Sequence, residues 1–149
     1  MAGARVTMDT RVLKNLVGDM LQKVQERQNL MENIGETIVS SVLQRFEEGK
    51  GPDGAAWEVS GRAWSDGLKK DGKFGQTLVD TGRLKGSMVY EASPDMVVVG
   101  SNVEYSAIHQ FGGMAGRGRK VKIPARPFLG INDEDKKEIK HMIEKYLQG

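Results

Sequence analysis

The chain has 149 residues, and its 22 basic and 20 acidic side chains leave a formal net charge of +2. This near-balance argues against a dedicated nucleic-acid-binding protein, which usually carries a larger positive charge. There is no cysteine, so disulfides and thiolate chemistry are excluded, and no apolar run is long enough to cross a bilayer. We therefore expect one domain, residues 1–149, made and used in the cytoplasm.

Two amphipathic helices are predicted at the N-terminal end, over residues 9–28 and residues 31–47. In the first, apolar residues recur on one stripe at helical spacing: Val12, Leu13, Leu16, Val17, Met20, Leu21 and Val24. In the second, the apolar residues that step by four are Ile34, Ile38, Val42 and Phe46. Each helix has one apolar face and therefore needs a partner surface.

Residues 49–75 are rich in glycine and lack apolar periodicity, so an extended arm is predicted there. This arm contains Trp57 and Trp64, the only tryptophans, together with Phe74. These rings either fold back onto the core or anchor an interface with a neighbouring subunit, where tryptophan is enriched. The glycine-rich setting favours the interface, with an arm that is mobile in the monomer and ordered in an assembly. Trp64 is the better anchor, because Trp57 follows the second helix closely.

The remainder of the chain predicts a small antiparallel sheet and a C-terminal helix, so the fold class is α+β. Residues 87–92 and 95–100 form a hairpin around a Ser-Pro-Asp turn. The second strand contains a continuous apolar run and is expected to be buried on both faces. A basic, glycine-rich loop at residues 112–120 precedes a third strand at residues 121–123.

Side chains able to carry catalysis or hold a metal are sparse. His109 and His141, the only histidines, lie far apart and have no ligand set at metal-binding spacing. Neither a nucleophile elbow nor a phosphate-binding loop motif occurs. We expect no enzyme activity, no bound metal and no cofactor. His109 is interpreted as a structural residue whose ring hydrogen-bonds a backbone group.

Positive charge is concentrated between residues 112 and 127, which hold no acid. The five basic residues there are Arg117, Arg119, Lys120, Lys122 and Arg126. They belong either to a solvated loop or to an electrostatic contact with DNA or an acidic neighbour. The second interpretation leads to an alternative function, a nucleic-acid-binding module that uses residues 117–126.

Five short motifs stand out from the second helix onward. They are Pro52-Asp53-Gly54 with Trp57; residues 78–84, which contain Thr81 and Gly82; residues 99–102 with Tyr105; residues 108–113, which contain His109 and Phe111; and residues 123–130, Ile-Pro-Ala-Arg-Pro-Phe-Leu-Gly. Together these motifs resemble those of the phage virion morphogenesis proteins, also called tail-completion proteins, of Mu-like and related tailed phages.

The resemblance implies a structural protein of the virion, assembled in the host cytoplasm, with no enzyme activity. It implies a place at the head–tail junction or the head-proximal end of the tail, with a role in tail completion and head–tail joining. Several copies would form a ring, hexameric or a multiple of that, in contact with other neck, connector or tail proteins and not with a membrane. We expect the loop from Arg117 to Lys122 to face the axis of this ring, where DNA or another passing component would meet its positive charge.

Elementary chemistry suggests why such motifs serve a fold. Pro124 and Pro127 fix a stiff, extended segment that delivers Phe128 into the core. Arg126 between them is suited to a bidentate pair with a carboxylate. Thr81-Gly82 can form a tight turn at the entry to the first strand. Whether these residues also touch a partner is left open by the sequence.

Overall fold

The computed structural model describes residues 10–60, residue 78 and residues 82–149. The helices and strands, in chain order, are α1 (Thr10–Glu48), α2 (Arg83–Gly86), β1 (Met88–Ala92), β2 (Val97–Ser101), α3 (Ser106–Phe111), β3 (Gly113–Ala115), a 3-10 turn (Arg117–Arg119), β4 (Val121–Ile123) and α4 (Asp133–Gln148). A long helix, two small antiparallel sheets and a C-terminal helix confirm the α+β class.

The N-terminal region is one continuous helix of 39 residues, so the prediction of two separate helices was wrong. The apolar stripe is interrupted near Gln28, but no glycine or proline stops the helix there. Instead Gln28 Nε2 donates to Glu32 Oε1 at 3.0 Å and to the carbonyl of Ala92 at 3.0 Å. A polar residue on the inner face is thus satisfied by the sheet, and α1 continues through it.

The core lies against the C-terminal half of α1. Its buried members are Ile34, Ile38, Val42, Phe46, Trp57, Leu84, Met88 and Phe128. Phe46 is fully buried at the centre, with ring centroids 5.6 Å from Trp57 in an edge-on arrangement and 5.4 Å from Phe128. These three rings join α1 to two segments that have no regular secondary structure.

Trp57 packs on its own chain, which corrects the interpretation of it as part of a mobile interface arm. Its side chain is 7% exposed, and its Nε1 donates to the carbonyl of Pro127 at 2.8 Å. The backbone folds back directly after α1, since the Trp57 amide donates to Gly49 O and the Gly51 amide to Ala55 O. Trp64, Phe74 and the other residues from 61 to 75 of the predicted arm lie outside the described residues.

The first sheet pairs β1 with β2 and covers one face of α1. Met88 is buried, whereas Val89 and Val98 are 54% and 51% exposed, so β2 is not buried on both faces as predicted. The reason is that, among the described elements, α1 packs extensively against one face of this two-stranded sheet, which leaves Val89 and Val98 exposed on the other. On the inner face the Tyr90 ring lies so close to Gly35 that a Cβ there would be 2.5 Å from Tyr90 Cδ2. Glycine at position 35 therefore sets how closely the sheet approaches the helix.

The second sheet is a small hairpin in place of the loop predicted at residues 112–120. β3 pairs antiparallel with β4, with Met114 opposite Lys122, and the 3-10 turn forms the tip. The predicted strand at residues 121–123 exists, but it does not join the first sheet as a third strand. Three-residue strands framed by glycines carry too little periodicity to show this pairing in the sequence.

A buried ion pair joins α1 to α4. Arg45 Nη2 and Asp135 Oδ2 are 2.7 Å apart, and the two side chains are 5% and 6% exposed. Arg45 Nη1 also donates to the carbonyls of Phe128 and Gly130, at 2.7 and 2.9 Å. Asp135 forms a capping box with Asn132 at the start of α4. Burial lowers the pKa of the Arg45 guanidinium, and the neighbouring Asp135 opposes that shift.

Replacing Asp135 by alanine should destabilise the protein by about 3–5 kcal/mol, because the buried Arg45 charge loses its partner. The matched control is Asp95→Ala, which removes an ion pair to Arg27 whose side chains are 48% and 80% exposed. That change should cost less than about 1 kcal/mol. Urea unfolding of both variants gives the free energies, and equal losses would show that the buried pair is not a special constraint.

Candidate functional site

Two of the sequence motifs meet through the side chain of Gln110. Its Oε1 accepts from the amides of Phe128 and Leu129, both at 3.0 Å, and its Nε2 donates to the carbonyl of Leu129 at 3.2 Å. One amide side chain on α3 thus holds two consecutive residues of the segment 124–130 by both donor and acceptor. We call this arrangement, together with the contacts of Arg45 and Trp57 to the same segment, the clasp. Sequence reasoning missed Gln110, although a polar residue amid apolar neighbours in a short helix is a usable signal.

His109 and Arg126 are also joined, through their backbones. The Arg126 amide donates to the His109 carbonyl at 2.8 Å, and Arg126 Nε donates to the carbonyl of Glu58 at 2.7 Å. Arg126 is 6% exposed, and no carboxylate partner for it lies among the residues that the structure describes. Within the described residues the Arg126 side chain thus uses one backbone acceptor, the carbonyl of Glu58 directly after Trp57, and the expected pair with a carboxylate stays a prediction.

Among the described residues, the His109 ring has no backbone hydrogen bond of the kind that was predicted for it. Its Nδ1 is buried and has no hydrogen-bond partner within the described part of the chain. The ring lies edge-on to Tyr105, with centroids 5.8 Å apart. Burial lowers the pKa of His109, and the positive charge of Arg126 lowers it further. His109 therefore contributes through its carbonyl and a neutral ring.

Most of the other motif residues that the structure describes shape the fold, whereas Phe111 does not. Phe128 is fully buried, between prolines Pro124 and Pro127 that are partly buried. Gly82 has φ 76° at the start of α2, while its predicted turn partner Thr81 lies outside the described residues. Phe111 is 79% exposed, so its interpretation as a fold residue was wrong. The α3 helix turns Gln110 inward to the clasp, which leaves Phe111 pointing to solvent.

The stretch from Phe111 to Lys122 carries exposed cations as well as the exposed ring of Phe111. All four cations of the turn and β4 are exposed: Arg117, Arg119, Lys120 and Lys122. Met114 and Val121 beside them are 50% and 54% exposed. We call residues 111–122 the basic hairpin. Its mixture of cations and bare apolar side chains suits contact with a partner better than contact with water alone.

The N-terminal half of α1 presents a second exposed surface. The seven residues of its predicted stripe are between 46% and 63% exposed: Val12, Leu13, Leu16, Val17, Met20, Leu21 and Val24. We call them the bare stripe. Met20 and Val24 lie about 18 residues, five helical turns, before the buried Ile38 and Val42, so both sets share one face of the helix. The body covers only the second half of that face.

Metal binding and membrane insertion find no support in the described residues. No group of three or more histidine, aspartate or glutamate side chains there is placed to hold a metal ion. None of the described helices combines the length and the apolar character that a membrane span requires.

Protonation of His109 should destabilise the folded protein. Its pKa is lowered on folding from an ordinary value of about 6.5, so the unfolded chain binds the proton more tightly. Stability is then fully present above pH 6.5 and falls as the pH drops through the folded-state pKa. Urea unfolding at pH 7.5, 6.5 and 5.5 should show this loss in the wild type and a smaller loss in His109→Gln, with His141→Gln as the matched control. An unchanged slope in His109→Gln would contradict the assignment.

Comparison with known proteins agrees with the motifs. The profile of the phage virion morphogenesis family matches residues 8–148. The chain is 42% identical over 129 residues to "Mu-like prophage FluMu G protein 2" of Haemophilus influenzae, covering 87% of this chain and 84% of that protein. It is 33% identical over 147 residues to "Putative capsid assembly protein G" of Escherichia phage Mu, covering 94% and 91%.

No solved structure matches the chain. The family match nevertheless spans α1, the clasp, the basic hairpin and α4, which are the parts described above. The chain therefore belongs to the phage virion morphogenesis family, and its role is a structural one in virion assembly.

Proposed function

We propose that this protein is a structural subunit of the head–tail junction or the head-proximal end of the tail. Several copies form a ring there, hexameric or a multiple of that, which completes the tail and lets it join the head. The observation that carries this proposal is the contrast between a body held by buried polar contacts and two large exposed surfaces, the bare stripe and the basic hairpin. Such surfaces mark sites of contact with other subunits.

The relatives support a place close to the head. The phage Mu protein bears a name that refers to capsid assembly, and the family as a whole is described by virion morphogenesis. A junction protein touches both the capsid side and the tail, so it fits both descriptions. Other neck, connector or tail proteins are then the partners, and the assembled virion is the location, with assembly in the host cytoplasm.

The basic hairpin is the part of the subunit best suited to the ring axis. Its four exposed cations lie on the 3-10 turn, directly after it and on β4, and there is no acid between residues 112 and 127. DNA that passes through a ring would meet this charge without sequence-specific contacts. A nucleic-acid-binding module that acts outside a particle is the second candidate function, and it rests on the same four side chains.

A deletion of the gene in the phage or prophage tests the proposal directly. Induced cells should accumulate filled heads and separate tails, and purified wild-type protein added to that lysate should restore joined, infectious particles. Electron microscopy counts the two populations. Normal joined particles from the deletion strain would contradict the proposed function.

Charge reversal in the basic hairpin, with Arg117, Arg119 and Lys120 all changed to glutamate, should leave folding intact and impair particle completion. The changed residues are exposed, so stability should move by less than about 1 kcal/mol. The matched control reverses three exposed lysines elsewhere, Lys50, Lys136 and Lys137. Titre and particle counts are the measurements.

A salt titration of DNA binding distinguishes the two candidate functions. A true nucleic-acid module binds DNA as an isolated protein, and its affinity falls steeply with salt in proportion to the phosphates contacted. A ring subunit shows charge-dependent contact with DNA only when it is assembled.

In the charge-reversal experiment, normal infectious particles from the triple variant would show that the basic hairpin is merely solvated.

A further inference from the structure

A groove runs between α1 and α4 on the side of the body. It is a cleft of about 770 Å³ whose walls include Asn29 and Ser40 of α1 and Lys145 of α4. Its apolar lining residues are Leu30, Met142 and Tyr146, all partly buried. Its acidic lining residues are Glu26, Glu36 and Glu138, all exposed. An apolar floor between two helices with a polar rim is the kind of groove that accepts a third amphipathic helix.

The bare stripe matches this groove in length. Residues 12–24 span about 18 Å of helix at 1.5 Å per residue, and the wall of the groove formed by residues 26–40 of α1 spans about 21 Å. The stripe also offers a row of exposed aliphatic side chains that can pack against the apolar floor of the groove. Met20 and Leu21, for example, are 60% and 63% exposed.

The charges of the two surfaces are opposite. Residues 10–24 carry three cations, Arg11, Lys14 and Lys23, against one carboxylate, Asp19. The groove is lined by three glutamates against one lysine, Lys145. A helix with an excess of positive charge would therefore enter a groove with an excess of negative charge, which favours that contact over others.

The stripe cannot fill the groove of its own chain. Both lie along α1, which is one unbroken helix from Thr10 to Glu48, so the stripe points away from the groove as a straight continuation of its wall. Folding it back would require breaking the helix. The occupant must come from another molecule, and a second copy of this chain supplies a helix of the right length and charge.

We propose that the bare stripe of one copy docks into the groove between α1 and α4 of a second copy. This inference rests on the proposed ring and names the contact that builds it. Because each copy contributes one helix and one groove, the contact is heterologous, and its repetition closes a ring when the rotation between copies permits. The competing arrangement, a symmetric pairing of two bare stripes, brings two segments of like net charge together and leaves the groove open.

Two variants separate the two sides of the contact. Leu16→Asp with Met20→Asp puts charges into the exposed stripe and leaves the core untouched. Ser40→Trp with Glu138→Lys blocks the groove, since both residues line it and are exposed. Each variant alone should weaken self-association by about tenfold or more, measured by sedimentation velocity. Circular dichroism checks that α1 and α4 are intact, and Glu91→Lys on the exposed face of β1 is the matched control.

Mixing the two variants gives the decisive result. The stripe variant retains an intact groove, and the groove variant retains an intact stripe. One contact can therefore form between them, and the oligomer cannot grow beyond this pair. Native mass spectrometry should show a one-to-one complex of the two variants and no larger species. The proposal is overturned if the groove variant self-associates like the wild type, as symmetric stripe pairing requires. It is also overturned if the mixture yields no complex, or if the wild type stays monomeric at high concentration.

This test is independent of the place of the protein in the particle. A deletion strain that makes normal joined particles would overturn the proposed function and leave the helix–groove contact standing. Conversely, groove and stripe variants that assemble normal rings would overturn the contact and leave the head–tail role standing.

Discussion

The structure depends on the buried guanidinium of Arg45. A buried charge is costly unless it is paired and hydrogen-bonded. Here the two terminal nitrogens of Arg45 reach Asp135, Ser41 and the carbonyls of Phe128 and Gly130, while its Nε has no hydrogen-bond partner among the described residues. The pair fixes the start of α4 against α1, and the two carbonyl contacts fix the chain that leads into α4. Together with the apolar packing of Ile139 and Met142 of α4 against the core, this interaction holds α4 alongside α1 and so forms the groove between them.

The segment 124–130 explains why motifs far apart in the sequence act together. Two prolines keep this segment extended. No strand pairs with it among the described residues, so its buried peptide groups need side chains as hydrogen-bond partners. Trp57 donates to Pro127, Gln110 binds Phe128 and Leu129, and Arg45 binds Phe128 and Gly130. Each of these side chains comes from a different part of the chain. The clasp is therefore a way of burying an irregular segment without leaving its backbone unsatisfied.

Close approach of the backbone completes this arrangement. Gly112 has φ 73°, and a Cβ at that position would lie 2.8 Å from the Ala125 amide nitrogen and 2.9 Å from the Ile123 carbonyl oxygen. Only glycine lets the end of α3 lie against the strand that feeds the clasp. The same glycine begins the turn into β3, so the position of the basic hairpin follows from the clasp.

Local patterns predicted the fold class, the helical stripes and the first hairpin, because periodicity and turn residues are local signals. These local patterns failed where the structure of a residue depends on a partner that is distant in the sequence. Gln28 looked like a helix boundary because its acceptor, Ala92, lies in another element, and Trp57 looked unpartnered because Phe46 and Pro127 are not its neighbours in sequence. Arg45 and Asp135 belong to no recognisable local motif, because the two partners are 90 residues apart in the sequence.

We propose that a preformed body assembles through the bare stripe, the groove and the basic hairpin. Hydrogen exchange on the free protein and on tails assembled from it tests this most directly, because exchange reports local protection. The backbone amides of residues 10–27 and 111–122 should exchange faster in the free protein than in assembled tails. The protection of β1, β2 and the clasp should change little on assembly. Large new protection in the clasp, with residues 10–27 unchanged, would contradict it.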